Sequence, residues 1–187
     1  MAREISNNDD IIDSRDVIRR IAALQSDIED KESEQQELDT ALDEKQSEIS
    51  ELEDELVIAE AEAYGTIDDD EVARLENNLE ALRRDVSEIE FTVREVRDDI
   101  KELQNELEPF VDLERAAEAY GNWQGGAELI RDDYFEDYAR NLAESMYTDN
   151  MSSDWPFNCI DWAVAADLLK SDYTRVNFDG EDYWILS

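Results

Sequence analysis

Apolar residues recur with a period of 3.5 residues through the first part of the chain. From residue 17 onward the spacings alternate between four and three, and this alternation is held for about six heptads, which predicts a long coiled-coil helix. The apolar seam positions are Val17, Ile21, Leu24, Ile28, Leu38, Leu42, Ile49, Leu52, Leu56, Ala59 and Ala63. Lys31, Gln35 and Lys45 occupy the remaining seam positions, where we expect them to specify the register or to face a helix of a second partner.

The same period resumes after a short break at residues 64–70. Gly65 suits the end of the first helix, and Thr66 or Asp68 can cap the next one. The second seam consists of Val72, Leu75, Leu79, Leu82, Val86, Ile89, Val93, Val96, Ile100, Leu103, Leu107 and Phe110. Pro109 is expected to break or restart this helix. Two long helices joined by a short turn predict an antiparallel hairpin, with a parallel or swapped oligomer as the alternative.

The last third of the chain has a different pattern. A helix is predicted from about Glu128 to Met146, because its apolar residues fall on one face, and Asp161 is placed to cap another helix. Two segments rich in β-branched and aromatic residues, 174–178 and 181–186, are separated by two residues. Those two residues are Asp and Gly, which favour the positive φ angles of a tight turn, so the pattern predicts a β-hairpin.

These elements predict a mainly α protein in which a long antiparallel coiled-coil hairpin precedes a small α+β module that ends in a β-hairpin. The domain division is expected to be an N-terminal arm at 1–15, the coiled-coil hairpin at 16–112 with its turn near 64–70, and a small acidic domain at 113–187. Since the seam serves one hairpin or a four-helix assembly equally well, a homodimer through the coiled coil is also a candidate.

Charge narrows the possible functions. The 187 residues include 53 Asp or Glu, 17 Lys or Arg and no His, and the formal net charge is −36. A nucleic-acid binder needs clustered basic side chains that displace counterions from phosphates, so direct binding of nucleic acid is excluded. The same repulsion argues against an anionic membrane surface. No apolar stretch approaches the length of a membrane span, and the chain starts without a signal core, so a cytoplasmic location is expected.

The carboxylates of the predicted hairpin are dense enough to resemble a polynucleotide. Residues 16–108 carry 32 acidic side chains. A helix of about 47 residues is roughly 70 Å long, which gives about one carboxylate per 2.2 Å, against one phosphate per about 1.7 Å of duplex DNA. Coiled-coil surfaces usually balance both signs of charge, and this one does not. We therefore favour a charged interaction surface over an ordinary solvated face.

The chemistry of catalysis is poorly represented. Histidine, the commonest general base and metal ligand, is absent, and Cys159 is the single cysteine. Without a histidine to activate its thiol, Cys159 is expected to be buried and unreactive. The run of acids at 68–71 lacks the alternating ligands of a calcium loop, so helix capping is its expected role. We expect no enzymatic activity, no metal site and no cofactor.

Several short segments of the C-terminal part resemble a group of small acidic proteins of phages and prophages. About 60 residues share the order of elements of the C-terminal region of ArdA-type antirestriction proteins, although the long coiled coil has no counterpart there. The segments that carry the resemblance are Tyr134-Phe135-Glu136-Asp137-Tyr138-Ala139, Leu142-Ala143-Glu144, Trp155-Pro156, Cys159-Ile160-Asp161-Trp162, Asp172-Tyr173, Phe178-Asp179-Gly180 and Tyr183-Trp184. The resemblance implies an anti-defence protein of a phage or mobile element.

Charge and resemblance together predict an acidic DNA mimic that inhibits a host DNA-binding protein in the bacterial cytoplasm. The expected partner is a restriction–modification complex, or otherwise a CRISPR-type complex with a DNA channel. The acids expected to contact it are Glu51, Asp54, Glu55, Asp68, Asp69, Asp70, Glu88, Asp98, Asp99, Asp132, Asp133, Glu136 and Asp137. The alternative is a structural or adaptor coiled coil whose C-terminal module binds a protein partner through shape and aromatic contacts.

Overall fold

The computed structural model describes residues 5–62, 69–146 and 157–187. The helices are α1 (Ser14–Glu62), α2 (Asp69–Ala117), α3 (Trp123–Gly126), α4 (Phe135–Met146) and α5 (Trp162–Leu169). The strands are β1 (Ile11–Asp13), β2 (Glu128–Arg131), β3 (Tyr173–Phe178) and β4 (Glu181–Leu186). Three short 3₁₀ turns precede α4, α5 and β3. The predicted fold class is confirmed: two long helices pack together, and a small antiparallel sheet follows.

Helices α1 and α2 run antiparallel, as the heptad pattern predicts. Ion pairs join Glu53 to Arg83 and Asp39 to Arg97, so residues early in α2 lie beside residues late in α1. The apolar seam is turned inward throughout α2, where its members are buried or half-buried. In α1 the seam is fully buried at its start and only half-buried from Lys31 onward, because long polar side chains share it there.

The chain divides into two compact units, which are described separately. The first combines Met1–Gln25 with Asn105–Ser187, and the second consists of Ser26–Gln104. The second unit is therefore a pure helical hairpin. The first contains the start of α1, the end of α2 and all remaining elements.

A four-stranded antiparallel sheet forms the centre of the first unit, in the order β1-β2-β4-β3. β3 and β4 form the predicted hairpin around Asp179 and Gly180, which have φ angles of 48° and 88°. Both residues of a two-residue turn of this kind need positive φ, so the Asp-Gly pair determines the register of the hairpin. β2 pairs with β4, and the three residues of β1 complete the sheet at the opposite edge from β3.

The sheet is covered on both faces. On one face Phe178 packs against Phe110 of α2, with ring centroids 5.1 Å apart, and Tyr183 packs beside Phe178. On the other face Ile130 and Trp184 pack against Phe135 and neighbouring residues of α4 and α5. Because side chains alternate between the faces of a strand, Leu129 and Ile130 of β2 are both fully buried, one on each side.

The predicted helix from Glu128 is wrong at its beginning. Residues 128–131 form β2, a 3₁₀ turn follows, and α4 begins only at Phe135. The physical reason is that a strand buried on both faces shows no polar alternation, so its short apolar run resembles the start of the helix that follows it. Strand β1, within the expected N-terminal arm, was not predicted because its three residues are too few to show a pattern.

The expected break at Pro109 is also wrong. α2 continues through this proline for two further turns, to Ala117. A proline inside a helix removes one hydrogen bond and crowds the preceding turn. The residues beyond it offset that cost, because Phe110, Leu113 and Ala117 are all buried in the first unit.

The prediction for Cys159 is wrong, and the prediction for Asp161 is confirmed. Cys159 is exposed rather than buried, because it ends a 3₁₀ turn at the surface just before α5. Asp161 caps α5 as predicted, since its carboxylate accepts a hydrogen bond of 3.3 Å from the backbone N–H of Val164. The predicted turn with Gly65 and its capping residues lies in 63–68, outside the described residues.

Candidate functional site: the acidic outer face of helix α1

The surplus negative charge of the second unit belongs mostly to one of its two helices. Between residues 26 and 62, α1 has 16 acidic and two basic residues, a net charge of −14. Between residues 69 and 104, α2 has 12 acidic and six basic residues, a net charge of −6. At about 1.5 Å per residue, this part of α1 carries one net negative charge per about 4 Å, close to the 3.4 Å between phosphates along one DNA strand.

Neither basic residue of this part of α1 lies on its outer surface. Lys31 and Lys45 occupy seam positions and are half-buried. The Lys31 ammonium lies 3.0 Å from Glu34 on its own helix and 3.2 Å from Asp99 on α2. Lys45 lies 3.1 Å from Glu48. The hydrogen bonds to Glu34 and Asp99 raise the pKa of Lys31, so it remains charged and joins the two helices.

Four exposed acids form a row along the outside of α1. They recur every seven residues, which places them on one side of the helix about 10.5 Å apart. The acidic row consists of Asp30, Glu37, Glu44 and Glu51. Within the part of the chain that the structure describes, no ion pair engages any of the four. Their charge is therefore not neutralised by an ion pair with any residue in 5–62, 69–146 or 157–187.

The outer face of α2 differs, because basic residues are interspersed with its acids. Arg74 pairs with Glu71 at 2.7 Å, and Arg84 pairs with Glu80 at 3.6 Å. Arg94 and Lys101 are exposed on the same helix. An isolated exposed aromatic side chain, Phe91, also lies on this face. The face therefore has the mixed signs that are ordinary for a solvated coiled coil.

The two sides of the hairpin are also unequal. On one side, arginines of α2 reach across to acids of α1, as Arg83 does to Glu53 at 2.7 Å. On the other side, acids from both helices line an open depression of about 380 Å³, with Glu48, Glu51 and Glu55 from α1 and Asp85 from α2. The acidic surface of α1 therefore continues around the helix into this depression.

Most of the acids predicted for the hairpin are exposed and without an ion pair among the described residues. This group contains Glu51, Asp54, Glu55, Asp70, Glu88 and Asp98. Asp99 is the exception, because it pairs with Lys31. Asp68 lies outside the described residues, and Asp69 begins α2 with a side chain that is not described.

The four acids predicted for the C-terminal module each form an ion pair with a basic neighbour, in contrast to the acidic row. Asp133 lies 2.5 Å from Arg131, and Arg140 lies 3.4 Å from Glu136 and 3.6 Å from Asp137. Asp132 accepts hydrogen bonds of 2.6 Å from Lys170 and 2.6 Å from Trp184.

The hydrogen bonds from Lys170 and Trp184 hold the pKa of Asp132 below its usual range. This carboxylate is thus engaged inside the module rather than offered to a partner. The structure does not bring the C-terminal acids together as an unneutralised surface, in contrast to those of α1.

Three members of the acidic row were missed by the sequence analysis, namely Asp30, Glu37 and Glu44. The signal was present in the sequence, because all three share one heptad position with Glu51. Assigning a heptad position to every acid, rather than counting acids along the helix, would have identified the row.

Within residues 5–62, 69–146 and 157–187, no group of three His, Cys, Asp or Glu side chains is arranged to hold a metal ion. The described helices are all too polar or too short to cross a membrane. Comparisons with protein-family models, with characterised proteins and with solved structures found no significant match to the chain.

Proposed function

We propose that this protein is a non-enzymatic anti-defence protein that uses the outer face of α1 as a mimic of a DNA strand. In this proposal the acidic row and its neighbouring acids occupy the Lys- and Arg-lined DNA groove of a host restriction–modification complex. The observation that carries the proposal is the segregation of charge, since no basic residue is present on the outer face of α1 between residues 26 and 62.

The segregation of charge on α1 is informative because it lowers the stability of the folded protein. Like charges on one helix repel each other, and pairs four residues apart destabilise it. Interspersed lysines would relieve that repulsion at no cost to solubility, and α2 carries such residues. A face that omits them gives up stability, as surfaces built for a charged partner do. Its spacing of charge along the helix suits a groove that accepts phosphates.

In this proposal, the outer face of α1 attracts the basic partner over a long distance. A uniformly negative face steers a basic partner and speeds association, and added salt weakens this effect. The C-terminal acids contribute little to the recognition, because each of them already forms an ion pair with Lys170, Arg131 or Arg140. The resemblance of the module to ArdA-type proteins supports a restriction complex as the first target, with a CRISPR-type complex as the second.

The proposal is tested by expressing the protein in a bacterial strain with an active restriction–modification system. Unmodified phage should plate on that strain nearly as well as on a strain without restriction, and a matched strain with CRISPR interference tests the second target. The matched variant neutralises the acidic row (Asp30→Asn, Glu37→Gln, Glu44→Gln and Glu51→Gln) and should lose the protection. Plating that stays low in both defence strains would count against an anti-defence function.

A second candidate function, a protein adaptor, is favoured by one observation on α5. Val164 and Leu168 lie four residues apart on this helix and are 55% and 71% exposed. Exposed apolar side chains on one helix face are typical of a protein contact. Binding through that face would be insensitive to salt and to duplex DNA, whereas binding through α1 would be sensitive to both.

A further inference from the structure

The first unit contains an open pocket of about 310 Å³ at one end of the sheet. Its floor consists of residues from three neighbouring strands, Glu128 and Ile130 of β2, Leu186 of β4 and Tyr173 of β3. Tyr173 and Leu186 are register partners, and their side chains therefore lie side by side on the same face of the sheet. The pocket is the size of a small binding site.

The walls of the pocket come from α4 and from the segment between α2 and β2. Tyr138 of α4 stands over Tyr173, with the rings 6.4 Å apart and nearly perpendicular, and the two hydroxyls are 3.3 Å apart. Gly121 and Gly126 lie on the other side. Gly121 has a φ of 57°, and a Cβ there would lie 3.2 Å from the side chain of Ala127. Glycine therefore allows the backbone at position 121 to lie close to Ala127.

The polar groups of the pocket favour a cation. Glu128 is exposed and has no ion pair among the described residues, and no Lys or Arg is among the lining residues. Burial and the hydrogen bond with Tyr138 raise the pKa of Tyr173, so its ring remains a neutral phenol. The guanidinium of Arg15, which lies against Gly126, is already bound by Asp13 at 3.0 Å and 2.5 Å.

We infer that this pocket binds a guanidinium group, as in an arginine side chain. A planar guanidinium can stack on one tyrosine ring while it donates two parallel hydrogen bonds to one carboxylate, here that of Glu128. A lysine ammonium is a compact, strongly hydrated charge and gains less from an aromatic ring. The inference does not depend on the role proposed for α1, because the pocket and the acidic row share no residue.

The test is a titration of the ¹⁵N-labelled full-length protein with N-acetyl-arginine amide, followed by NMR at about 0.15 M salt, which screens unspecific attraction to the other acids. N-acetyl-lysine amide tests the preference for guanidinium. N-acetyl-citrulline amide has nearly the shape of the arginine probe without its charge. The informative amides are those of Gly121, Gly126 and Leu186, which belong to the pocket.

Two matched variants distinguish binding in the pocket from non-specific attraction of the cationic probe to acidic side chains. Glu128→Gln removes the pocket carboxylate, and Glu181→Gln removes an exposed carboxylate at the opposite end of the sheet, beside the hairpin turn. The spectrum of each free variant reports whether its fold is intact.

We expect saturable shifts at the pocket amides with the arginine probe, weaker binding of the lysine probe and none of the citrulline probe. The dissociation constant should rise about tenfold in Glu128→Gln, because a charge-assisted hydrogen bond is lost, and should stay the same in Glu181→Gln. Shifts that do not saturate, equal effects of the two variants, or equal binding of the arginine and citrulline probes would overturn the inference.

Discussion

Ser14 and Ala127 hold each other through a reciprocal pair of hydrogen bonds. The backbone N–H of Ser14 donates to the carbonyl of Ala127 at 2.9 Å, and the N–H of Ala127 donates to the Ser14 hydroxyl at 2.8 Å. The hydroxyl in turn donates to the carbonyl of Trp123 at 2.6 Å. Ser14 is fully buried, so one side chain joins the start of α1 to the segment that leads into β2.

Replacing Ser14 with Ala should therefore destabilise the first unit strongly. The substitution leaves the N–H of Ala127 without its acceptor and the carbonyl of Trp123 without its donor in a dry environment. Each unsatisfied buried group costs about 1–3 kcal/mol, so the two together should lower the free energy of unfolding by about 2–6 kcal/mol. Urea unfolding followed by tryptophan fluorescence measures the loss.

The matched control for Ser14 is Ser33→Ala on the exposed surface of the same helix. A surface substitution of this kind should change the free energy of unfolding by less than about 0.5 kcal/mol. Similar effects of the two substitutions would show that the bonds of Ser14 do not stabilise the fold.

Asp132→Asn should destabilise the protein in a pH-dependent way. The folded-state pKa of Asp132 lies below the ordinary value of 3.8, because Lys170 and Trp184 donate hydrogen bonds to the carboxylate. A lowered pKa contributes stability that is present above pH 3.8 and is lost as the pH falls through the folded-state pKa. The variant should thus be less stable than the parent at pH 7, and the two should be equally stable at a pH below the folded-state pKa of Asp132.

Urea unfolding of both proteins from neutral pH to below the ordinary aspartate pKa measures this difference. Asp167→Asn, at an exposed acid of α5 without an ion pair among the described residues, serves as the control and should match the parent throughout. A deficit of Asp132→Asn that is the same at every pH would mean that the charge of Asp132 is not its cause.

Self-repulsion along α1 should make the hairpin more stable when it is screened. With a net charge of −14 between residues 26 and 62, added salt should raise the melting temperature of the helical signal. The variant with a neutralised acidic row should melt at a higher temperature than the parent and should respond less to salt. Circular dichroism melts at several salt concentrations provide the measurement. If the melting temperature of the parent protein were the same at every salt concentration, the acids of α1 would not repel each other as described.

The long helices and the β-hairpin could be predicted from the sequence, because their signals are local. A 3.5-residue period repeated over α1 and α2 predicts coiled-coil helices, and the Asp179–Gly180 turn determines the register of β3 and β4 without distant contacts. β2 could not be predicted in this way. It pairs with β1, more than a hundred residues earlier in the chain, and with β4, about fifty residues later.

The acidic face could be predicted only in part. The number of acids is a property of the sequence, but their neutralisation depends on tertiary neighbours. Asp132 is paired with Lys170, which is 38 residues away in the chain, so no local sequence pattern predicts this contact. The members of the acidic row differ, because their shared heptad position alone indicates that they face outward.

The most direct test of the DNA-mimic account is a competition experiment with a purified restriction–modification complex. Fluorescence anisotropy of a labelled duplex reports how much DNA remains on the complex as the protein is added. Three proteins are compared: the parent, the variant with the neutralised acidic row, and a matched variant that removes four exposed acids without an ion pair from α2. The α2 variant carries Glu88→Gln, Glu95→Gln, Asp98→Asn and Glu102→Gln.

The account predicts that the parent displaces DNA and does so less well at high salt. Four surface charges worth about 0.5 kcal/mol each should make the acidic-row variant weaker by a factor of about 30, while the α2 variant should stay within about threefold of the parent. Equal losses in both variants, or displacement that is independent of salt, would contradict the claim that the outer face of α1 substitutes for a DNA strand.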